Sequence, residues 1–394
     1  VLKKEKKSKK KLALINSMTL MLGLQLGLVS FILSTFLGKQ VSEKGVGWLF
    51  LLAYLISFYI LIKVHFLIKK YGKSQTFFMF VAVRWISLIG MGAFWFHPVS
   101  IVFAVFSLVG NAMLWSTLDV LLEEYSDNGT TGKTRGLFLV VLNTGFLVAP
   151  FISTSLIQNY KNGFQLVFYL ASFFALIPML ILAVFFSERK YIQQKKKRNK
   201  LFFWKEVFNR KDILRIYLAS FLLDLFYSVM VVYMPIYLLD VGLFWGEMGK
   251  IFTVMLIPFV LIQYPLGIIA DKKTGEKEWL ILALLLMALS TTCIGFIDVP
   301  QVGLWMMLLF LTRVGAAMVE VMRDTYFYKQ VGPKEIEIMD FFRTTKSISY
   351  IFGMSFFSII LFFSNIESIF FVLGGIILLG TIPLFWLKDT DAFS

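Results

Sequence analysis

Among the ionisable side chains that interrupt otherwise apolar runs are Arg84, Asp224, Arg313, Glu320, Arg323 and Asp324. Charge is costly in hydrocarbon, so such residues are candidates for binding a solute or an ion, or for pairing with one another. Asp224 stands eleven residues into a run that opens at 213, which at ~1.5 Å per helical residue puts it ~16 Å deep, near the middle of a ~30 Å hydrocarbon layer. A lone carboxyl there is a candidate proton site; the competing reading is a structural partner for a cation such as Arg313. The positions 313, 317, 320 and 324 share one helical face, which sets Arg313, Glu320 and Asp324 together, and Glu320 and Arg323 stand at i, i+3, in range to pair. Arg84 has no partner legible in the sequence; pairing within the first half of the chain and snorkelling both stay open.

Milder polar groups accompany these charges. Asn16, Thr19, Gly23, Gly27, Ser30 and Ser34 recur at steps of three or four and form one small, polar stripe, with Gln25 on another face. Close helix packing accounts for the glycines without any ligand. Asn111 and Trp115, at i, i+4, offer a polar contact and an aromatic platform, or simply core packing. Thiol and metal chemistry have little to draw on: Cys293 is the one cysteine, and His65 and His97 lie near run ends, where they read as interfacial histidines. No cofactor is expected. An enzyme would have to work with carboxylates alone, and a primary pump would need a Gly-x-x-x-x-Gly-Lys-Ser/Thr phosphate loop that the sequence lacks.

The elements that must position these residues are membrane helices. Hydrophobic residues make up 58% of the chain and charged residues 16%, against about 45–50% and about 25% in soluble domains. Cutting the apolar runs at charged or turn-rich breaks predicts twelve spans, at 12–36, 46–68, 74–96, 99–122, 135–158, 163–186, 213–238, 250–270, 279–297, 303–327, 344–363 and 368–387. Each is near the ~20 residues that a crossing helix needs. With the N-terminus inside, the outer loops hold only Lys39, Lys44, Lys161 and Lys250 of the 39 basic residues, and Lys63, Arg84, Arg313 and Arg323 lie within spans. The remainder flank the inner face, which predicts cytoplasmic termini in a cell membrane. The net charge of +15 is therefore a topological signal, and nucleic acid is not an expected partner. The run from Lys3 to Lys11 precedes a first span too long for a signal peptide, so that span is expected to be retained.

A basic stretch, 187–211, carries ten bases and two acids and divides the spans six and six. The expected domains are a six-helix bundle over 1–186, this cytoplasmic linker, and a second bundle over 212–394. The halves share a repeat: Val109-Gly110-x-Ala112-Met113 returns as Val314-Gly315-x-Ala317-Met318, and Asp119 as Asp324, at one offset of 205 residues. Arg135 to Gly145 and Arg343 to Gly353 correspond at an offset of 208. Duplicated halves are a common plan for transporters, with the solute site where the repeats meet.

Between the eighth and ninth spans the chain reads Gly267-Ile-Ile-Ala-Asp271-Lys272-Lys273-Thr-Gly275-Glu276-Lys277. This resembles the signature loop of the major facilitator superfamily, Gly-x-x-x-Asp-Arg/Lys-x-Gly-Arg/Lys-Arg/Lys, through Gly267, Asp271, Lys272, Gly275 and Lys277, with Glu276 where the family usually has a base. Gly275 is read as supplying the unusual backbone angles of a tight reversal. The first-half counterpart keeps Lys69, Gly72 and Lys73 but has Val64 and Ile68 in place of the leading Gly and the Asp. The resemblance covers essentially the whole chain and implies an all-α fold of twelve helices in two pseudo-symmetric bundles, whose first, fourth, seventh and tenth helices line a central cavity.

On that footing Arg313 and Glu320 face the cavity. Gly267, Asp271, Lys272, Gly275, Arg323, Asp324 and Asp119, with Lys69 and Gly72 of the first-half loop, belong to a cytoplasmic gate in which Asp271 pairs with Arg323, Asp324 pairs with Lys272 or Lys273, and the backbone of Thr134-Arg135-Gly136 approaches Asp271. Ala149-Pro150 faintly resembles the Gly-Pro motif of drug/proton antiporters. The expected function is secondary active transport of a small amphipathic solute by a monomer, coupled to protons and directed outward. Nutrient uptake or facilitated diffusion is the alternative, and a membrane-embedded enzyme the alternative from another class.

Overall fold

The structure, a computed structural model, describes residues 2–125, 131–186, 208–263, 265–266, 275–331 and 336–388, and the backbone alone at 2–9, 65, 119, 123–125, 131–136, 336–337 and 340. Among the described residues every regular element is helical. The helices are α1 Leu2–Ser30, α2 Leu33–Val41, α3 Glu43–Tyr71, α4 Lys73–Ala93, α5 Val99–Tyr125, α6 Thr131–Asn159, α7 Gly163–Phe185, α8 Lys211–Val232, α9 Met234–Asp240, α10 Trp245–Leu261, α11 Glu276–Ile294, α12 Val302–Gln330, α13 Ile336–Phe363 and α14 Glu367–Thr381, then a 3₁₀ turn Ile382–Trp386.

Eleven helical stretches among the described residues are long and apolar enough to cross a membrane, in the order and near the limits that the hydropathy pattern predicts. The expected eighth span falls short because α10 has 17 residues, and residues 264 and 267–274 lie outside the described residues. This helix also begins five residues before the expected Lys250, because the Glu247 carboxylate accepts from the Phe244 N–H at 2.9 Å and caps the first turn. The first and seventh spans each contain a break, after Ser30 and at Tyr233. In the seventh Pro235 sits in the first turn of α9, where its missing N–H and ring cannot continue the helix before it.

Two compact units result, Val1–Gln194 with Phe244–Thr253, and Lys195–Leu243 with Val254–Ser394. The start of α10 thus packs within the first unit, where Trp245 meets Phe164 edge-on at 5.6 Å. In that unit Ile15, Met18 and Leu22 of α1 form a core with Phe77, Val81, Leu114 and Leu118. In the second unit Leu223 and Phe226 of α8 are fully buried, as are Leu284, Met287, Val319 and Met322. Phe96, Phe296 and Phe363 stay more than 70% exposed, which suits a surface bathed in acyl chains.

The repeated glycines mark the same crossings in each unit. A Cβ on Gly110 of α5 would stand 3.1 Å from the Arg84 nitrogen of α4, and one on Gly315 of α12 would stand 2.8 Å from the Ala283 oxygen of α11. Likewise Gly145 of α6 lies against the backbone of α1, a Cβ there meeting the Leu20 oxygen at 2.6 Å, and Gly353 of α13 lies against Ser228 of α8. The repeat therefore preserves close helix approach. Gly23 and Gly27 of the span-one stripe do the same against Leu142, Phe146 and Ala149 of α6, so packing accounts for them.

Candidate functional site

In the second unit α8 and α12 bring the charges together. Asp224 is buried, and its Oδ2 lies 3.7 Å from Nη1 of Arg323. The same Nη1 donates to the Ser220 hydroxyl, one helical turn from Asp224, at 2.6 Å. The Arg323 Nε stands 3.3 Å from Oδ1 of Asp324, in an ion pair whose alignment falls short of a hydrogen bond. One guanidinium is thus shared between two carboxylates. Ser220 is held in turn 3.2 Å from the Thr345 hydroxyl of α13.

Arg313 is not the partner of Asp224. It lies ten residues before Arg323, ~15 Å along the helix, and its guanidinium rests over the rings of Phe226 at 4.9 Å and Tyr227 at 5.7 Å. The side chain is buried and its Nη1 has no hydrogen-bond partner among the described residues. Glu320 also departs from the expected i, i+3 pairing: its Oε2 accepts from the Gln263 amide at 2.9 Å, and no ion pair within 4 Å joins it to Arg323 among the described residues. Arg323 instead reaches Asp224 and Ser220 on α8 through Nη1 and its own helix neighbour Asp324 through Nε.

In the first unit the buried Arg84 neither snorkels nor stands alone. Its Nη1 donates to the Ser107 carbonyl at 2.8 Å and to the Ser107 hydroxyl. With its amide oxygen turned toward α4, Gln25 accepts from Nε at 2.6 Å and from Nη2 at 2.9 Å. Gln25 thus joins α1 to α4 and α5, a role that sequence periodicity could not assign because the partner is on another helix. Asn111 and Trp115 meet each other, the indole N–H donating to the Asn111 oxygen at 3.3 Å.

Of the gate residues, Gly267, Asp271 and Lys272 lie outside the described residues, as do Lys273, the side chain of Asp119 and those of 134–136, so neither the expected Asp271–Arg323 pair nor the approach to 134–136 falls within the described structure. Arg323 pairs with Asp224 and with Asp324. Gly72 turns the chain from α3 to α4 at φ +89°, a conformation that favours glycine, and Lys69 is exposed nearby. Gly275 does not make a tight reversal: it is the N-cap of α11 at φ −57°, ψ 156°, open to any residue. Two residues, Lys273 and Thr274, separate Lys272 from Gly275, one more than the signature pattern has, and the glycine is displaced onto the helix start. Glu276, the departure from the pattern, is buried and pairs with Lys329 at the end of α12 at 2.6 Å.

The model of the Major Facilitator Superfamily matches residues 15–249 and 245–393. No curated protein matches the chain in sequence. Among solved structures it is similar to the nucleoside transporter NupG, with a TM-score of 0.76 at 11% identity over 96% of this chain and 100% of that one. It is also similar to the POT family transporter PepTSo, with a TM-score of 0.72 at 12% identity over 96% and 97% of the two chains. At such identities the likeness is one of fold.

Proposed function

This multi-pass membrane chain belongs to the major facilitator superfamily, a family of membrane transporters, and on that premise we propose that it moves a small amphipathic solute outward by alternating access, driven by protons. The observation that carries the reading is the Arg323 guanidinium shared between Asp224 at 3.7 Å and Asp324 at 3.3 Å. A proton on Asp224 removes one of the two anions and leaves Arg323 to Asp324 and the Ser220 hydroxyl. Loss of the proton restores the competition, so the pair is a two-state element that a proton gradient can bias. The buried Arg313, whose Nη1 has no hydrogen-bond partner among the described residues and which has two aromatic faces beside it, suits a solute with an apolar body and one polar or anionic group. The same reading places the protein in the cell membrane as a monomer with both termini cytoplasmic.

The test uses proteoliposomes and a fluorescent amphipathic solute chosen by thermal-shift binding, since a ligand of the folded state raises its unfolding temperature. Asp224→Asn is expected to abolish pH-gradient-driven accumulation while solute counterflow persists. Wild-type gradient coupling in that variant would overturn the proton assignment. Gradient-independent flux in the wild type would favour facilitated diffusion, and chemical conversion of the solute would favour an enzyme.

A further inference from the structure

Arg313 and Tyr227 leave polar groups open beside one another. The Arg313 side chain is 2% exposed, its Nη1 lacks a hydrogen-bond partner, and no ion pair reaches it among the described residues. Its Cζ lies 4.9 Å from the Phe226 ring centre and 5.7 Å from that of Tyr227, and the two centres are 5.8 Å apart. These three points make a nearly equilateral triangle, so both rings lie to one side of the guanidinium and leave the rest of its edge uncovered by them. The half-buried Tyr227 makes no hydrogen bond through its hydroxyl among the described residues, and its ring meets that of Phe259 of α10 at 6.3 Å. A cation–π contact offsets only part of the cost of desolvating a guanidinium, so ring packing alone does not account for an arginine here.

An anion would supply the missing partner, and the surroundings limit which anion fits. A guanidinium edge matches the two oxygens of a planar carboxylate, and a phenol hydroxyl beside it adds one donor. Glu320 lies within electrostatic range of Tyr227, as do Arg323 and Asp224, which pair with each other. The Glu320 carboxylate has only a neutral partner, the Gln263 amide, so it opposes a second negative charge on the same ligand. The inference rests on the solute reading of Arg313 given above: we propose that Arg313 and the Tyr227 hydroxyl bind the carboxylate of the transported solute, a monocarboxylate whose apolar body lies against Phe226, Tyr227 and Phe259.

The purified full chain in detergent tests this by its unfolding temperature, at neutral pH and without a gradient. Octanoate, phenylpropanoate and naphthoate are expected to raise it. Octanamide, phenylpropanamide and naphthamide, of nearly the same shapes, are expected to bind at least about tenfold more weakly. Arg313→Gln is expected to weaken the tightest of the acids by about tenfold to a hundredfold, and Tyr227→Phe, which keeps the ring and the fold, by about tenfold. Glu320→Gln removes the opposing charge and is expected to tighten the same acid several-fold, which a merely structural Arg313 would not produce. Equal responses to acid and amide, no response to any acid, or undiminished acid binding in both Arg313→Gln and Tyr227→Phe would overturn the subsite. Stabilisation by octylamine in place of the acids, lost in Glu320→Gln, would overturn it in favour of a cationic solute. Because no gradient is used, proton coupling retained in Asp224→Asn would remove the proton assignment and leave this result standing.

Discussion

Asp224 and Arg323 form the pair on which the function is read, and both are largely withdrawn from solvent, with 8% and 14% of their side chains exposed. Removing one member of a buried pair leaves the other charged and unpartnered, at a cost of about 3–5 kcal/mol. Arg323→Ala is therefore expected to lower the unfolding temperature markedly, because Asp224 and Asp324 lose their shared cation. Adding Asp224→Asn to that variant removes the orphaned charge and is expected to recover part of the loss. A double-mutant cycle reads this as a coupling of about 0.5–3 kcal/mol. If the two substitutions simply add, the 3.7 Å approach carries no energetic weight. Arg84 obeys the same physics with neutral partners, since Gln25 and Ser107 satisfy its fork where a carboxylate would otherwise be required.

At the scale of helices, contact is governed by what the smallest residues permit. Gly315→Ala puts a Cβ 2.8 Å from a backbone oxygen of α11, and forcing α11 and α12 apart is expected to cost about 1–3 kcal/mol. Gly375→Ala in α14 has nothing within 4 Å, so it is expected to gain about 0.5–1 kcal/mol from the helix propensity of alanine. Thermal unfolding in detergent should rank the two on opposite sides of wild type; the same sign for both would contradict the packing role of the repeat. The start of α11 offers a second check. Glu276 sits in its first turn and Lys329 in the last turn of α12, each at the helix end that its charge favours. Glu276→Lys, which restores the base usual in the family, is expected to destabilise by setting two cations together. Lys329→Glu in addition should recover part of that stability, and its failure to do so would mean that the 2.6 Å pair is incidental.

For the molecule as a whole, orientation rests on the distribution of bases. Reporter domains fused at the N-terminus and after Ser394 are expected to register the cytoplasm at both ends, since most of the 39 Lys and Arg residues gather at one set of span ends and loops rich in such bases stay inside. Exposure of both reporters on the outer side would invert the assignment.

Span positions were legible in the sequence because membrane insertion depends on the length and polarity of a contiguous run, which is a local property. Eleven of the twelve predicted spans reappear among the described residues as helices long and apolar enough to cross a membrane, and Gly110 with Gly315 betrayed the duplicated crossings. Burial of Asp224 followed from its depth in an apolar run. Its partner did not, because ion pairing depends on the rotation and stagger of helices distant in the chain. Periodicity set Arg313, Glu320 and Asp324 on one face of α12, whereas tertiary packing turned Arg323 toward α8 and left Arg313 over Phe226. The Gln25–Arg84–Ser107 contact and the Glu276–Lys329 pair were decided in the same way. A single helix records which of its residues are charged; only the helix packed against it determines which of those charges meet.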